Sequence, residues 1–320
     1  MICVVGGGAF GTALAMSYAR QAPAVLWVRD GDAAAAMRQT RSKHRYLPET
    51  TLPDALHVTT DVGALSTCDT VLLCVPTQSL RVLLADVKAD VIAGKLLVAC
   101  CKGAELKTGL LPTEIIQACV PDAATAVLTG PSFASDIARH LPTALCLAVH
   151  ESQSGLRLQH RLALPMIRIY RTGDVIGAQL GGALKNVVAI ACGAAIGAGL
   201  GESARAALMT RGFAEMASLA RARGARFETL TGLSGLGDLV LTCGSGQSRN
   251  FRLGLSLGRG QTFDPTETVE GAATAQALST DRSLSDTDLP IVRSVADMVS
   301  GQLQVAEAID RLLSRPLKEE

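Results

Sequence analysis

One long segment limits the folds open to this chain. Residues 175–201 read VIGAQLGGALKNVVAIACGAAIGAGLG, and Lys185 carries their only formal charge. A helix that is apolar on every side is a buried helix, so the chain needs a domain able to enclose it. A bilayer is the other apolar surrounding. The run 187–200 is too short and too rich in Gly and Ala for that, since a span needs ~20 predominantly apolar residues. Lys185 is therefore an anomaly. Lysine is rarely buried without a partner, because an ammonium loses its hydration there. Either it extends its stem to reach water at the helix edge, or it sits in a polar pocket. Asn186 beside it adds a second hydrogen-bonding group. Gly181 and Gly182, one turn earlier, would let a backbone or a ligand approach closely. Both features favour the pocket.

The chain opens differently. Residues 2–5 are a short apolar run, GGGAFG follows, and 12–20 have helical patterning. Gly6, Gly8 and Gly11 form G-x-G-x-x-G between a strand and a helix. The first allows the tight turn, the second lets the backbone approach a pyrophosphate, and the third allows close helix–strand packing. The helix N-terminus then offers N–H groups to phosphate. This is the pattern of a dinucleotide site, with Ala9 and Phe10 covering the cofactor. The next strand, 24–28, ends at Arg29 and Asp30. An acid near this point binds a ribose 2′-OH, whereas Arg accommodates a 2′-phosphate. Arg29 coming first favours NADPH, or use of both nucleotides; a plain surface Arg–Asp pair is the other reading.

Apolar strands and helices then alternate: strands at 56–59, 70–75, 96–101 and 126–129, helices at 77–86 and 113–119, and Asp61 near the start of a short helix. That alternation implies a parallel sheet covered on both faces, with ligands beyond the carboxyl ends of its strands. Lys102, Gly130, Ser132 and Ala134 follow such ends, and Lys102 should face an anion or a carbonyl. Strands at 143–149 and 166–170 read as antiparallel additions at the sheet edge. Residues 173–174 mark the junction to a second, helical half.

Composition sets the remaining limits. Hydrophobic residues make up 48% of the 320, enough for a sizeable core, but aromatics are only 3%, so aliphatics and alanine must build it. A net charge of +1 argues against a broad nucleic-acid footprint. No basic-then-apolar leader precedes the first strand. Nine cysteines without C-x-x-C pairs or zinc spacings suggest a reducing cytoplasm, no disulfides and no metal.

In the second half, Ser203 is placed to cap a helix over 204–223, whose apolar residues Leu208, Phe213, Met216 and Leu219 recur at core spacing. TGLSGLGDLVLTC then puts Asp238 alone in an apolar, flexible turn. It either pairs with Lys185 or caps the helix 239–243. GSGQSRN brings Ser248, Arg249 and Asn250 together, and an Arg fork suits bidentate phosphate binding. Thr268-Val269-Glu270-Gly271 places one acid in a turn. Residues 294–300 and 304–313 are amphipathic helices.

Taken in order, GGGAFGTALA (6–15), LWVRD (26–30), YLP (46–48), CKGAE (101–105), GPSFA (130–134), ALKNVVAIACG (183–193), GLSGLGDLVLTC (232–243), SRN (248–250) and VEG (269–271) resemble the bacterial NAD(P)-dependent glycerol-3-phosphate dehydrogenase family over essentially the whole chain. The resemblance implies an α/β Rossmann-type N-terminal domain, 1–173, and an all-α C-terminal substrate domain, 174–320. It also implies reversible hydride transfer between NAD(P)H and dihydroxyacetone phosphate, giving sn-glycerol 3-phosphate for phospholipids. Lys185 matches the catalytic lysine. Lys102, Gly130, Ser132, Asp238, Ser248, Arg249 and Asn250, with Lys185 itself, match substrate contacts. Gly6, Gly8, Ala9, Phe10, Gly11, Arg29, Lys102, Ala134, Arg249, Thr268 and Glu270 match cofactor contacts. A cytoplasmic homodimer, with no nucleic acid and no stable membrane insertion, is the family expectation. Two departures bear on cofactor preference: Thr268 where valine is frequent, and Cys100-Cys101 before Lys102 where threonine is common. A reductase of another small keto acid, and a non-catalytic NADPH-sensing module, are the alternatives.

Overall fold

The computed structural model describes residues 1–41, 47, 50–87, 89–150, 152–285 and 287–314. Tyr46 and Pro48 of the YLP stretch lie outside them. The described residues form two compact units. The first holds residues 1–101 and 110–178; the second holds 102–109 and 179–320.

In the first unit, short β-rich runs alternate with helices. β1 (Ile2–Val5), β2 (Ala24–Trp27), β3 (Leu56–Thr59), β4 (Thr70–Leu73), β5 (Leu96–Ala99) and β6 (Ala124–Thr129) are parallel, and β7 (Thr143–Ala148) and β8 (Ile167–Thr172) complete an eight-stranded sheet of order 3-2-1-4-5-6-7-8. β7 pairs antiparallel to β6 and β8 parallel to β7, so the last two strands run against the first six, as their edge position suggested. The helices are α1 (Ala9–Ala19), α2 (Gly31–Thr40), α3 (Thr77–Asp86), α4 (Ala89–Ile92), α5 (Pro112–Cys119), α6 (Ala134–Ala138) and α7 (Ser152–Leu162). Alternate strand residues supply two cores. Val4, Leu26, Leu72 and Val98 pack on one face, and Val5, Val25, Val71 and Leu97 on the other. Such two-sided burial is why these strands read as continuous apolar runs. Cys3, Cys100 and Cys146 are buried among these aliphatics, and all nine cysteines are free thiols.

Strand order reverses between β1 and β4, and β1 leads into α1 through the glycine loop. Gly6 has φ +120°, and a Cβ there would lie 2.6 Å from the Cys74 carbonyl oxygen. Only glycine fits this turn.

The second unit is helical. α8 (Val175–Gly197) is followed by α9 (Gly201–Ala222), α10 (Phe227–Thr231), α11 (Asp238–Cys243), α12 (Arg249–Gly258), α13 (Glu270–Thr280), α14 (Pro290–Val299) and α15 (Val305–Leu313). The division between units falls inside α8, between Ala178 and Gln179. α8 is long and apolar enough to cross a membrane by composition, yet most of it is buried in the protein as a core helix. It packs backbone to backbone. A Cβ at Gly193 would lie 2.1 Å from the Phe251 carbonyl oxygen, and one at Gly254 would lie 2.1 Å from that of Ile190. Paired glycines thus let α8 and α12 approach more closely than any side chain permits.

Several expected boundaries move. α8 ends at Gly197, α1 begins at Ala9 and α14 begins at Pro290. Ser203 is not a cap. The chain turns at Gly199 and Gly201, both at positive φ, so α9 starts at Gly201 with Leu200 at its cap. Ser203 is then inside the first turn, where its backbone cannot take the extended form a capping residue needs. Along α9, Met216 and Leu219 are buried, but Leu208 and Phe213 are only partly so. Glu215 is buried and accepts from the Ile291 and Val292 amides at 2.7 and 3.2 Å, holding the start of α14.

Candidate active site

Two groups of residues need separate description. In the first unit, Gly8 caps α1 without a side-chain hydrogen bond, leaving the first-turn amides available. A Cβ on Gly8 would meet nothing within 4 Å, so a cradle is open where a pyrophosphate would lie. Ala9 and Phe10 are half-buried beside it, and Gly11 is buried. The residues therefore fit a dinucleotide. Ala134 opens α6, which packs against α1. Gly130, at φ +129°, ends the β6 turn, and its carbonyl accepts from Ser132 Oγ at 3.1 Å. Arg29 is exposed just past β2. Asp30 is not its ionic partner. Its carboxylate caps α2, accepting from the Asp32 and Ala33 amides at 2.9 and 3.0 Å.

In the second unit, Lys185 is 7% exposed and Asp238 1%. Lys185 Nζ donates to Asp238 Oδ1 at 3.0 Å and to Thr242 Oγ1 at 2.8 Å. Lys102 Nζ donates to the other carboxylate oxygen, Oδ2, at 2.6 Å. One carboxylate thus holds two ammoniums, and the cluster carries a net positive charge. An ammonium has three N–H groups, so these two bonds leave Lys185 one for a substrate. Local structure explains the meeting. A π-helical turn, Leu233–Gly237, precedes α11. Its backbone lies on α8 at Gly181, where a Cβ would be 2.6 Å from the Ser234 carbonyl oxygen. That contact, one turn before Lys185, sets Asp238 against the lysine. Gly237 occupies the cap, so Asp238 is the first residue of α11 and its carboxylate is spent on the lysines.

Burial lowers the Lys185 ammonium to about 8, Asp238 opposing the fall and Lys102 adding to it. Burial alone would raise the Asp238 carboxyl. The Lys102 and Lys185 charges outweigh it and hold the group below the usual carboxylate range.

Asn250 joins this group indirectly. Its Nδ2 donates to Asn186 Oδ1 at 2.9 Å, and Asn186 Nδ2 donates to the Lys102 carbonyl at 3.0 Å. Ser248 caps α12 by accepting from the Phe251 amide at 3.2 Å. Arg249 is exposed at the first position of that helix, and Thr268 and Glu270 lie at the start of α13. Neither Arg249 nor Thr268 hydrogen-bonds to the lysine–carboxylate cluster. Thr242 was absent from the sequence reading. It lies four residues after Asp238 on α11, the spacing that shares a helix face, and it touches both Lys185 and Asp238.

The N-terminal model of NAD-dependent glycerol-3-phosphate dehydrogenase matches residues 1–155, and the C-terminal model matches 174–310. The chain belongs to the NAD-dependent glycerol-3-phosphate dehydrogenase family. A glycerol-3-phosphate dehydrogenase [NAD(P)+] of Ruegeria sp. is 57% identical over 319 residues, covering 100% of this chain and 99% of the relative. That of Cereibacter sphaeroides is 53% identical over 320 residues, covering 100% of both. The crystal structure of the Coxiella burnetii glycerol-3-phosphate dehydrogenase superposes with TM-score 0.92 at 35% identity, covering 98% of each chain. The expected dinucleotide-binding α/β and helical architectures of this dehydrogenase are thus both present.

Proposed function

We propose that Lys185 is the proton donor and acceptor in reversible hydride transfer between NAD(P)H and C2 of dihydroxyacetone phosphate, giving sn-glycerol 3-phosphate. A bound nicotinamide supplies or takes the hydride. As the carbonyl is reduced, its oxygen becomes an alkoxide and must gain a proton. The remaining N–H of Lys185 delivers it, and in the reverse direction the neutral amine takes it back. Lys102 polarises the carbonyl, and the net positive cluster stabilises the alkoxide. Asp238 keeps both ammoniums in place. Arg249 and Asn250 hold the phosphate, with Gly130, Ser132 and Ser248 as further substrate contacts, and that remote binding positions the reacting carbon. Gly6, Gly8, Ala9, Phe10, Gly11, Arg29 and Ala134 hold the nucleotide, with Lys102, Arg249, Thr268 and Glu270 completing its contacts. Residues 1–173 act as the nucleotide domain and 174–320 as the substrate domain, in a cytoplasmic homodimer. The single observation carrying this reading is the buried Lys185–Asp238–Lys102 cluster.

NADPH is the favoured nucleotide, because Asp30 is committed to capping α2 and Arg29 stands exposed beside it. An assay of nicotinamide oxidation with dihydroxyacetone phosphate, and separately with dihydroxyacetone, tests the reaction. Turnover needs the phosphorylated ketone. Arg29→Ala lowers kcat/KM for NADPH by about 10–100-fold, the worth of hydrogen bonds to a charged group, while NADH turnover stays near wild type. Equal losses with both nucleotides would refute the role of Arg29 in 2′-phosphate recognition.

A further inference from the structure

We infer that Cys74 and Cys100 are a reversible disulfide site beneath the nucleotide loop, closed by peroxide and opposed by bound NADPH. The inference rests on the nucleotide lying on that loop, and its covalent readout does not.

Both thiols stand one residue past paired strands. β4 pairs with β5 in the register Leu73 to Ala99. The ladder runs on, because the Cys74 amide donates to the Val5 carbonyl at 2.8 Å and the Cys100 amide to that of Leu73 at 3.0 Å. Cys74 and Cys100 are therefore opposite each other. Cys74 follows Leu72 by two positions and Cys100 follows Val98 by two, so both thiols pack on the same core. Neighbouring strands lie about 4.7–4.9 Å apart, inside the Cα separation of about 4.4–6.8 Å that a disulfide spans. Both are free thiols in this structure. They share a hydrogen bond, which together with burial holds the Cys74 thiol above its ordinary range.

Two other pairs share such a bond, Cys3 with Cys68 and Cys192 with Cys243. All four of those residues are 0% exposed. Cys74 is half-buried, so a small oxidant meets it first. Its raised range leaves little thiolate, and the pair stays reduced at low peroxide.

Closure is a two-electron oxidation. Cys74 gives up its proton, and its sulfur attacks one peroxide oxygen. The O–O bond breaks, and the leaving hydroxide takes that proton to become water. Cys74 is then a sulfenic acid. The Cys100 sulfur attacks the Cys74 sulfur, the S–O bond breaks, and the departing hydroxide takes the Cys100 proton as a second water. Two thiols and one hydrogen peroxide thus give one disulfide and two waters. A dithiol reductant reopens the bridge by exchange.

The position ties closure to the cofactor. Strand order reverses between β1 and β4, where a dinucleotide crosses the sheet. A Cβ on Gly6 would lie 2.6 Å from the Cys74 carbonyl oxygen, and one on Gly11 would lie 3.0 Å from Cys74 Cβ. Both glycines of the loop therefore rest on Cys74. A disulfide draws its Cβ atoms to about 3.5–4.5 Å, which pulls Cys74 toward β5 and away from them. The cradle for the pyrophosphate loosens. Coupling is reciprocal, so the factor by which closure weakens NADPH is the factor by which NADPH opposes closure.

The test treats the full chain with hydrogen peroxide, with and without saturating NADPH, then blocks remaining thiols and reads linked peptides by mass. The expected result is a Cys74–Cys100 link, with Kd for NADPH from fluorescence titration raised about tenfold, inside the 5–150-fold of typical couplings. Dithiothreitol removes the link and restores the Kd. Saturating NADPH lowers the linked fraction. Cys100→Ala yields no such link and no dithiothreitol-reversible rise in Kd. A link at another pair, no link at all, an unchanged Kd in the linked chain, or equal linking with NADPH bound overturns the inference. All four readings come from the wild-type chain, so they stand even where Cys100→Ala fails to fold. A wild-type chain that fails to reduce dihydroxyacetone phosphate would sink the proposed reaction, while the linked peptide and the Kd would still decide this site.

Discussion

Lys185→Ala lowers kcat for dihydroxyacetone phosphate reduction by about 10³-fold, inside the 10²–10⁴ range that positioned general acids supply. Alanine has no proton to give the alkoxide. The variant should still fold. Asp238 keeps Lys102 as its partner at 2.6 Å, so no buried carboxylate is left without a countercharge. Lys185→Arg is the sharper companion. It restores a cation beside Asp238, but a guanidinium does not give up its proton in proteins. It should fold as wild type and recover little of the lost rate in either direction. Near-normal turnover by Lys185→Ala would remove the lysine from the mechanism.

Asp238→Asn damages both activity and stability. The wild-type carboxylate takes Lys185 on one oxygen and Lys102 on the other. Asparagine keeps the shape and removes the charge, so two ammoniums face each other without compensation. Breaking a buried pair in this way costs about 3–5 kcal/mol, which denaturant or thermal unfolding will read. Part of that cost is relieved when Lys185 loses its proton. The opposing effect of Asp238 is gone, so its ammonium titrates below the wild-type value of about 8. At pH 7.5 fewer molecules then carry the proton that reduction needs. Reduction should fall by about 10²-fold or more, since both the donor and its orientation suffer. An Asp238→Asn chain as stable and as active as wild type would show that the carboxylate is not the hub.

How far this site was legible in the sequence differs by residue. Lys185 stood out because a lone charge in an apolar helix requires a partner, and Asp238 stood out because it was the one acid in an apolar turn. The sheet was equally plain, since runs buried on both faces leave no polar alternation to misread. Lys102 was placed only at a strand end. Its partner lies 136 residues away, a separation no local pattern encodes. Asn250 reads as a ligand contact because a polar triplet after glycines resembles a phosphate loop; its bonds to Asn186 and to the Gly271 amide lie 64 and 21 residues away and no local pattern shows them. Thr242 was overlooked although its i+4 spacing from Asp238 carries the signal. Ser203 failed as a cap because two glycines at positive φ had already turned the chain into α9. In each of these cases tertiary packing, not local propensity, set the outcome.

The pH dependence of kcat/KM in both directions tests the central claim most directly, because this parameter reports groups on the free enzyme. Burial places the Lys185 ammonium at about 8, below its ordinary 10.5. Reduction needs the charged form, so kcat/KM for dihydroxyacetone phosphate should be level below that pH and fall as pH rises through it. Oxidation of glycerol 3-phosphate needs the neutral amine, so its kcat/KM should climb through the same point and then level. Mirror-image profiles crossing near pH 8, both lost in Lys185→Arg, are the predicted result. An inflection that persists unchanged in Lys185→Arg would contradict it.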